Sequence, residues 1–323
     1  MKTSLMRAGV AVLAFTSVSA NAAGLLGNYT AAGAWKIDTQ EASAVAFNWD
    51  TRTLMVTNDE EHGDLAYFGE YDLDGGKIAS YTVPGCQSFS KSKCDPEGLT
   101  YIGDGKYVVG EERPRGIAVL EKTSATTLTN FADADTIKVY DDGKFDNSGL
   151  EGVAFERSTG DFFAVKETSP ELIWRITDAD FGAGTATVTN PFNIASLGLA
   201  TLSDIAVLSN SGLGDNLLIL SGTSRVIYEV TRAGALVSQF DLSGYGSLID
   251  PTGAGGKFEG LTLDDQGNIY LVSDDGDGPN QSYLVKLQYN APSVPEPATW
   301  AMMVAGFGLV GVAARRRNRA AIA

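Results

Sequence analysis

The 323-residue chain contains few of the residues on which common catalytic sites depend. It has one histidine, His62, which excludes a two-histidine zinc site. A G-x-S-x-G elbow, a phosphate-binding loop and a C-x-x-C pair are also absent from the sequence. Lysine and arginine total 24 against 40 acidic residues, so the net charge is −16 and no cationic face is apparent. This composition argues against a nucleic-acid partner and directs attention to the carboxylates.

The N-terminus has the features of a secretory signal. Lys2 and Arg7 precede an apolar stretch that ends in the small residues Ala20, Asn21 and Ala22. The pattern predicts a signal peptide over residues 1–22. Export would place the chain in an oxidising compartment, where two nearby cysteines pair readily.

Only two cysteines occur, and they lie in the short segment "CQSFSKSKC". We therefore predict a disulfide between Cys86 and Cys94 that fixes the loop before Asp95. A zinc site is a weak alternative, because two thiols without a nearby histidine make a poor zinc ligand set.

The C-terminal segment, residues 291–323, combines three elements. Pro295-Glu296-Pro297 is followed by an apolar run over residues 298–314 and then by four arginines. The run is a marginal transmembrane helix with a positive cytoplasmic end. The segment resembles the PEP-CTERM sorting signal of Gram-negative bacteria. This resemblance implies export across the inner membrane, transient membrane association, recognition by an exosortase, removal of the tail and release to the cell surface or an exopolysaccharide matrix; a permanent anchor is the alternative.

Between these ends the sequence repeats. Five segments begin alike, 52 to 56 residues apart, and each is followed by a Gly-, Asp- or Asn-rich turn and a second apolar strand. The five segments start at Ser43, Glu97, Glu151, Ser203 and Glu259. About four strands per repeat predict an all-β fold, a β-propeller of five blades over residues 27–290, with six blades as the alternative. The last repeat is one strand short, so we expect an N-terminal strand to close the ring.

The repeat also places acidic residues on one rim of the propeller. The start of the first strand and the end of the second strand of an antiparallel hairpin lie side by side, so both positions face the same channel mouth. Converging carboxylates repel each other unless their pKa values rise or a cation binds. Carboxylate and serine oxygens suit Ca²⁺, which we predict at this rim. The predicted ligands are Glu97, Glu151, Glu259, Asp204, Asp59 and Asp274.

Two other interpretations of the acidic rim stay open. The acids could be structural and paired with Lys166, Arg113 or Arg225. Alternatively, the rim could be the site of a metal-dependent hydrolase of phosphate or lactone esters. A bound cation would then polarise the substrate, Glu112 or Glu167 would act as the base, and Lys166 or Arg113 would stabilise developing charge.

Four segments carry a resemblance to a known family: "DPEGLTYIGDGKYVVGEERPRGIAVL", "GLEGVAFERSTGDFFAVKE", "LLILSGTSRVIYEV" and "EGLTLDDQGNIYLVSDD". They resemble the SdiA-regulated β-propeller family across nearly the whole mature chain, which implies a propeller and is compatible with metal at the channel mouth. The ending "VSDDGDGPNQSYLVKL" is also similar to the esterase-like phytase propellers, although a clear early counterpart is missing. We therefore expect a surface or matrix binding module for exopolysaccharide or a small ligand, with the hydrolase as the alternative.

Overall fold

All strands of the described chain lie in five antiparallel sheets arranged as the blades of a propeller. The computed structural model describes residues 24–59, 63–90, 94–144, 146–168, 170–246, 256–274 and 282–292. The predicted signal peptide, His62, the Pro295-Glu296-Pro297 motif and the predicted C-terminal helix lie outside these residues. Within the described part, no helix has both the length and the apolar character needed to cross a membrane.

Each of the first four blades is built from consecutive strands. Blade 1 contains β2 (Ala42–Asn48), β3 (Thr53–Asn58), β4 (Leu65–Tyr71) and β5 (Lys77–Pro84). Blade 2 contains β6 (Pro96–Gly103), β7 (Lys106–Glu111), β8 (Gly116–Ser124) and β10 (Thr136–Lys138), with β9 (Thr127–Leu128) as a fifth strand paired to β8. Blade 3 contains β11 (Leu150–Phe155), β12 (Phe162–Lys166), β13 (Leu172–Asp180) and β14 (Thr185–Thr189). Blade 4 contains β15 (Asp204–Val207), β16 (Leu217–Ser221), β17 (Val226–Val230) and β18 (Leu236–Asp241).

Blade 5 joins the two ends of the propeller. It contains β19 (Phe258–Leu263), β20 (Ile269–Ser273) and β21 (Tyr283–Tyr289), and its outermost strand is β1 (Tyr29–Lys36) from the start of the chain. β1 pairs antiparallel with β21, from Tyr29 opposite Tyr289 to Lys36 opposite Tyr283. This pairing confirms the prediction that an N-terminal strand closes a five-bladed ring.

The remaining elements of the described chain are short helices in the connections. The one α-helix, α1 (Cys86–Ser90), lies between blades 1 and 2. The 3₁₀ helices are Leu25–Asn28, Phe131–Asp133, Ile194–Leu197, Leu208–Ser211 and Ser243–Tyr245.

The hydrophobic core is divided among the five interfaces between neighbouring blades. Both faces of each inner blade region are covered, so strands such as β2 and β3 are buried along their whole length. Met55 packs toward blade 2, whereas Leu54 and Val56 pack toward blade 5. Burial on both faces explains why these strands read as continuous apolar runs rather than as alternating patterns.

The first strands of the blades surround the central channel. β2, β6, β11, β15 and β19 pack in that order, and β19 packs on β2. Because all five run in the same direction, their starting residues share one end of the channel. The acidic rim predicted from the sequence lies at that end.

Candidate functional site: an acidic channel mouth

A β-bulge falls at the predicted rim position in four of the five inner strands. The paired register jumps across the rim residue, for example between Pro96 and Gly98 in β6. A residue in a bulge is left out of the ladder, and its side chain is aimed away from the normal pleat. Here the bulges turn the rim side chains toward the channel. The bulged residues are Ser43, Glu97, Glu151 with Gly152, and Glu259.

Glycine follows the rim glutamate because the inner strands approach each other closely. A Cβ on Gly260 would lie 2.9 Å from Ala44 Cα of the neighbouring blade. A Cβ on Gly98 would lie 3.1 Å from Val153 N. The Glu-Gly pairs therefore combine an inward carboxylate with a backbone that can fit beside the next blade.

Three carboxylates converge on a single point of the mouth. One ligand oxygen from each of Glu112, Glu151 and Glu167 lies within 4.8 Å of the other two. Glu112 and Glu151 are buried, and Glu167 is half-buried. Gly149 links two of the three, because its N–H donates to Glu112 Oε1 at 3.1 Å and its carbonyl accepts from Glu167 N at 3.2 Å. The backbone thus fixes this carboxylate triad in place.

The triad contains an oxygen that lacks an N–H donor. Glu112 is only 1% exposed, and no N–H group of the described residues donates to its Oε2; its side chain instead contacts the carboxyls of Asp95 and Glu151, with which it can share a proton. A buried oxygen of this kind is costly unless it is protonated or binds a ligand. Its environment, with the Asp95 and Glu151 carboxyls beside it, fits a cation.

Further carboxylates surround the triad. Together with it they form the group that we call the acidic mouth: Asp59, Asp95, Glu97, Glu112, Glu151, Glu167, Glu259 and Asp274. Glu97 interacts with much of this group, since the carboxylates of Asp59, Asp95, Glu112 and Glu259 all repel it and raise its pKa. The predicted rim residues of blades 1, 2, 3 and 5 are therefore electrostatic neighbours.

Burial is the main cause of the pKa shifts in the mouth, and mutual repulsion adds to it. Burial, followed by Asp95, raises the pKa of Glu112 to about 8. Burial and then Asp95 raise the pKa of Asp59 to about 7. The pKa of Glu151 lies well above its usual value because of burial and then the repulsion of Glu97. The mouth therefore holds protons near neutral pH, and a bound cation would compete with them.

The cations near the mouth form no close ion pair with the triad, although Lys257 and Lys166 partly offset the raised pKa of Glu167. Arg113 pairs with Asp95 at 2.9 Å. The buried Lys166 donates to the carbonyl of Thr168 and faces the interface between blades 2 and 3 with Ala164. Among the described residues, no lysine or arginine forms an ion pair with Glu112, Glu151 or Glu167. Of the cations that the sequence analysis proposed as partners, Arg113 pairs with Asp95. None of them forms an ion pair with a described carboxylate of the triad.

Asp204 lies deeper than the other predicted ligands. Its Oδ2 accepts from Leu261 N at 2.6 Å and its Oδ1 from Ile205 N at 2.8 Å. The hydrogen bond from Leu261 N joins β15 to β19. Asp204 is thus occupied as a link between blades 4 and 5.

Glu111 points away from the channel toward the disulfide. The structure confirms the Cys86–Cys94 bridge, with the two Cα atoms 5.5 Å apart. Glu111 Oε1 lies 3.1 Å from Cys86 Sγ, and Glu111 Oε2 accepts from Asp95 N at 3.2 Å. The disulfide and Glu111 therefore hold Asp95 at the edge of the acidic mouth.

The far end of the channel is narrow and is lined by both apolar and polar side chains. The Arg157 guanidinium lies 4.7 Å from the centre of the Trp49 ring, a cation–π contact between blades 3 and 1. The cavity there is about 40 Å³ and is lined mainly by side chains of the inner strands. A volume of this size holds water rather than an organic ligand.

The sequence analysis named seven of the eight acids of the acidic mouth as candidate site residues. The two repeat positions, at the start of the first strand and the end of the second strand of each blade, correctly locate four of them: Asp59, Glu97, Glu259 and Asp274. Glu112 and Glu167 were assigned to acid–base chemistry, whereas the structure groups them with Glu151 in the triad. The sequence did not single out Asp95 or Lys257 as site residues. Lys257 directly precedes Phe258-Glu259, so its position in the repeat was the available signal.

Fold and site together define a five-bladed propeller with an acidic mouth. The chain belongs to the SdiA-regulated family, whose model matches residues 30–286. A PEP-CTERM protein-sorting motif matches residues 293–317. This motif implies export, cell-surface sorting in Gram-negative bacteria and exosortase-dependent processing.

Solved structures with a similar fold include several enzymes. A gluconolactonase of Xanthomonas campestris is 13% identical with a TM-score of 0.46, covering 88% of this chain and 99% of its own. A periplasmic gluconolactonase of Pseudomonas aeruginosa is 17% identical with a TM-score of 0.38, covering 78% of this chain and 73% of its own. A luciferin-regenerating enzyme is 12% identical with a TM-score of 0.47, covering 80% and 95%. All three scores are below 0.5, so the activity of these proteins is not transferred to this chain.

Proposed function

We propose that this exported propeller binds calcium in the acidic mouth and acts at the cell surface or in the exopolysaccharide matrix as a binding module. The observation that carries the proposal is the carboxylate triad of Glu112, Glu151 and Glu167. Its buried Glu112 Oε2 accepts no hydrogen bond from an N–H group of the described residues. Glu97 adds the strongest repulsion on Glu151. Asp59, Glu259 and Asp274 supply additional negative charge around the site.

Calcium fits this set of donors better than other common metals. All available ligand atoms are oxygens, most of them carboxylate oxygens, which favours hard cations over zinc or copper. Calcium also accepts six to eight oxygens in variable geometry, whereas magnesium requires a near-ideal octahedron. A mouth assembled from four blades with unequal side chains suits the more permissive ion.

Titration calorimetry of the purified protein with Ca²⁺ and Mg²⁺ tests the cation site. We expect tighter binding of Ca²⁺, with proton release that grows as the pH falls below 8, because the bound cation displaces protons from Glu112 and its neighbours. Equal and weak uptake of both ions would remove the basis of the proposal.

The binding-module role has its own test. We expect the calcium-loaded protein to be retained by exopolysaccharide from the producing organism and to be released by a chelator. Loss of retention in both conditions would count against a matrix role and leave the cation site as a separate finding.

A metal-dependent hydrolase of phosphate or lactone esters is the second candidate. It is favoured by the pKa of Glu112, about 8, since a base that titrates near neutral pH suits proton abstraction. A bound cation would supply Lewis-acid activation of the substrate. Turnover of phosphate esters, lactones or aryl esters with added Ca²⁺, reduced in Glu112→Gln, would support this role. Absence of turnover across that panel would argue against it.

A further inference from the structure

The acidic mouth is interrupted at blade 4. The two rim positions that carry acids in blades 2, 3 and 5 are occupied here by Ser203 and Gly222, and β15 has no bulge. Gly222 N donates to Ser203 Oγ at 3.1 Å. The mouth is therefore strongly negative on one side and uncharged at the rim of blade 4.

Lys257 of blade 5 lies beside this uncharged gap. A Cβ on Gly222 would be 2.5 Å from the Phe258 carbonyl oxygen and 3.4 Å from Lys257 Cβ, so the lysine occupies the edge of the space that a side chain at 222 would need. Asp274 holds the Lys257 backbone on both sides, accepting from its N–H at 2.5 Å and donating to its carbonyl at 3.0 Å. The start of the lysine side chain is thus fixed.

The ammonium group of Lys257 remains accessible. Its Nζ lies 3.7 Å from Glu259 Oε1, and 49% of the side chain is exposed. Glu259 first, and then Asp274 and Glu167, favour its charged form and raise its pKa against the effect of burial. Glu167 belongs to blade 3 and Glu259 to blade 5, so the charge of Lys257 interacts with carboxylates of both blades that border the gap.

This position differs from those of the other cations near the mouth. Arg113 is paired with Asp95, and Lys166 is buried with its Nζ on the carbonyl of Thr168. Lys257 has a long ion pair with Glu259 and an exposed ammonium group whose charge interacts with Glu167 of the triad. A positive group beside a cation site can bind the second oxygen of a ligand that the cation already holds.

We propose that Lys257 forms an oxyanion-binding subsite at the blade 4 gap, so that the mouth selects ligands bearing a carboxylate or phosphate group. One ligand oxygen binds the calcium ion at the triad, and another accepts a hydrogen bond from Lys257 Nζ. The subsite rests on the proposed calcium site, because without a bound cation the surrounding carboxylates would repel an anion. An acidic sugar and a phosphate ester both carry such an oxyanion. Testing one probe of each kind shows which of the two the subsite binds.

Calorimetry of the calcium-saturated intact protein tests the subsite with three probes. Galacturonate and methyl phosphate carry the oxyanion, and galactose is the neutral control for the sugar ring. The variants are Lys257→Met, Lys257→Arg and, as a matched control, Lys77→Met, which removes a lysine that pairs with Asp38 on the outer strand of blade 1.

The expected result separates binding of the anion from binding of the cation. We expect the wild type to bind at least one of the two anionic probes and to bind galactose far more weakly. Lys257→Met should weaken the anionic probe by about tenfold or more, whereas Lys257→Arg and Lys77→Met should retain most of the affinity. Calcium affinity of Lys257→Met should stay equal or become tighter, because a like charge has been removed from the site. Removal of a lysine that only supports the fold would weaken calcium binding together with anion binding.

Each other outcome overturns the proposal in a distinguishable way. Unchanged or tighter binding of the anionic probes by Lys257→Met would overturn the subsite while the calcium site stands. Binding of neither anionic probe by a wild type that takes up calcium would do the same. Absence of calcium uptake by the wild type would overturn the calcium site and the subsite together.

Discussion

Buried acids at the two ends of the channel differ in their ion-pair partners and in the direction of their pKa shifts. At the far end, Glu156 accepts from Ser209 Oγ at 2.7 Å and pairs with Arg232. Burial alone would raise the pKa of Glu156, but Ser209 and Arg232 outweigh it, so the pKa falls below its usual value. At the mouth, Glu112, Glu151 and Glu167 have raised pKa values and no ion pair to a described residue.

This difference separates structural acids from candidate functional acids within one protein. Glu151 and Glu156 lie at the two ends of the same strand region, β11 and its following turn, and both are less than a tenth exposed. An acid that only supports the fold is expected to have partners, as Glu156 does. The cost of leaving the triad unpaired is expected where a ligand is bound. The predictions below run from the largest to the smallest expected effect on calcium affinity.

Glu151→Gln should weaken calcium binding by about 100-fold or more, because the triad loses a charged ligand. The metal-free variant should melt at a higher temperature than the metal-free wild type, since one of several mutually repelling buried acids is neutral. Calorimetry and a melting curve in chelator measure the two effects. A variant with normal calcium affinity would show that the triad is not the cation site.

Calcium affinity should rise by roughly tenfold between pH 6 and pH 7, because protons on the mouth carboxyls compete with the ion. The relevant pKa values are about 7 for Asp59 and Glu259 and about 8 for Glu112. Titrations at both pH values in buffers of different ionisation enthalpy would also measure the protons released.

The shifted pKa values of these carboxyls should also make the free energy of unfolding of the metal-free protein depend on pH. A carboxyl whose pKa is higher in the folded state favours folding while it is protonated there, so the free energy of unfolding should fall as the pH rises from about 4.5 to about 8. Glu156, with its lowered pKa, contributes stability that is present above about pH 4.5 and is lost as the pH falls further. Denaturant unfolding in chelator across this range measures both windows; a flat profile from pH 5 to pH 8 would contradict the assigned shifts.

Removal of the disulfide in Cys86→Ala/Cys94→Ala should weaken calcium binding only severalfold. Asp95 follows Cys94 directly and is held by Glu111, so its position loosens while the triad keeps its backbone support. The free energy of unfolding should fall by about 2–3 kcal/mol, the value expected for closing a loop of this size. A loss of calcium binding as large as that of Glu151→Gln would place Asp95 among the primary ligands.

Glu156→Gln should leave calcium affinity unchanged, although it removes an acid of the same type from the same blade. Its effect should appear in stability, with a loss of about 2 kcal/mol because Arg232 loses its charged partner. The variant is the matched control for Glu151→Gln. Reduced calcium affinity here would break the distinction between the two ends of the channel.

The sequence predicted the fold and the rim because both follow from a repeat. The period fixed the blade count, and the missing strand in the last repeat predicted the closure by β1. Equivalent repeat positions also placed Glu97, Glu151 and Glu259 at one end of the channel.

The grouping within the mouth could not be predicted in the same way. The bulges at the rim depend on how each pair of strands is displaced in the folded ring, and the triad depends on Gly149 contacting Glu112 and Glu167. Lys257 reaches the gap at blade 4 from blade 5, a relation between neighbouring repeats that the spacing within one repeat does not contain.

The metal content and melting temperature of the purified protein, before and after chelation, test the central claim most directly. The account predicts about one calcium ion per chain, a melting temperature several degrees lower after chelation, and recovery when Ca²⁺ is restored. Glu151→Gln, measured alongside, should contain no calcium and should not respond to the chelator. A wild-type protein without bound metal, whose melting temperature changes neither with chelator nor with added Ca²⁺, would contradict the claim that the acidic mouth is a cation site.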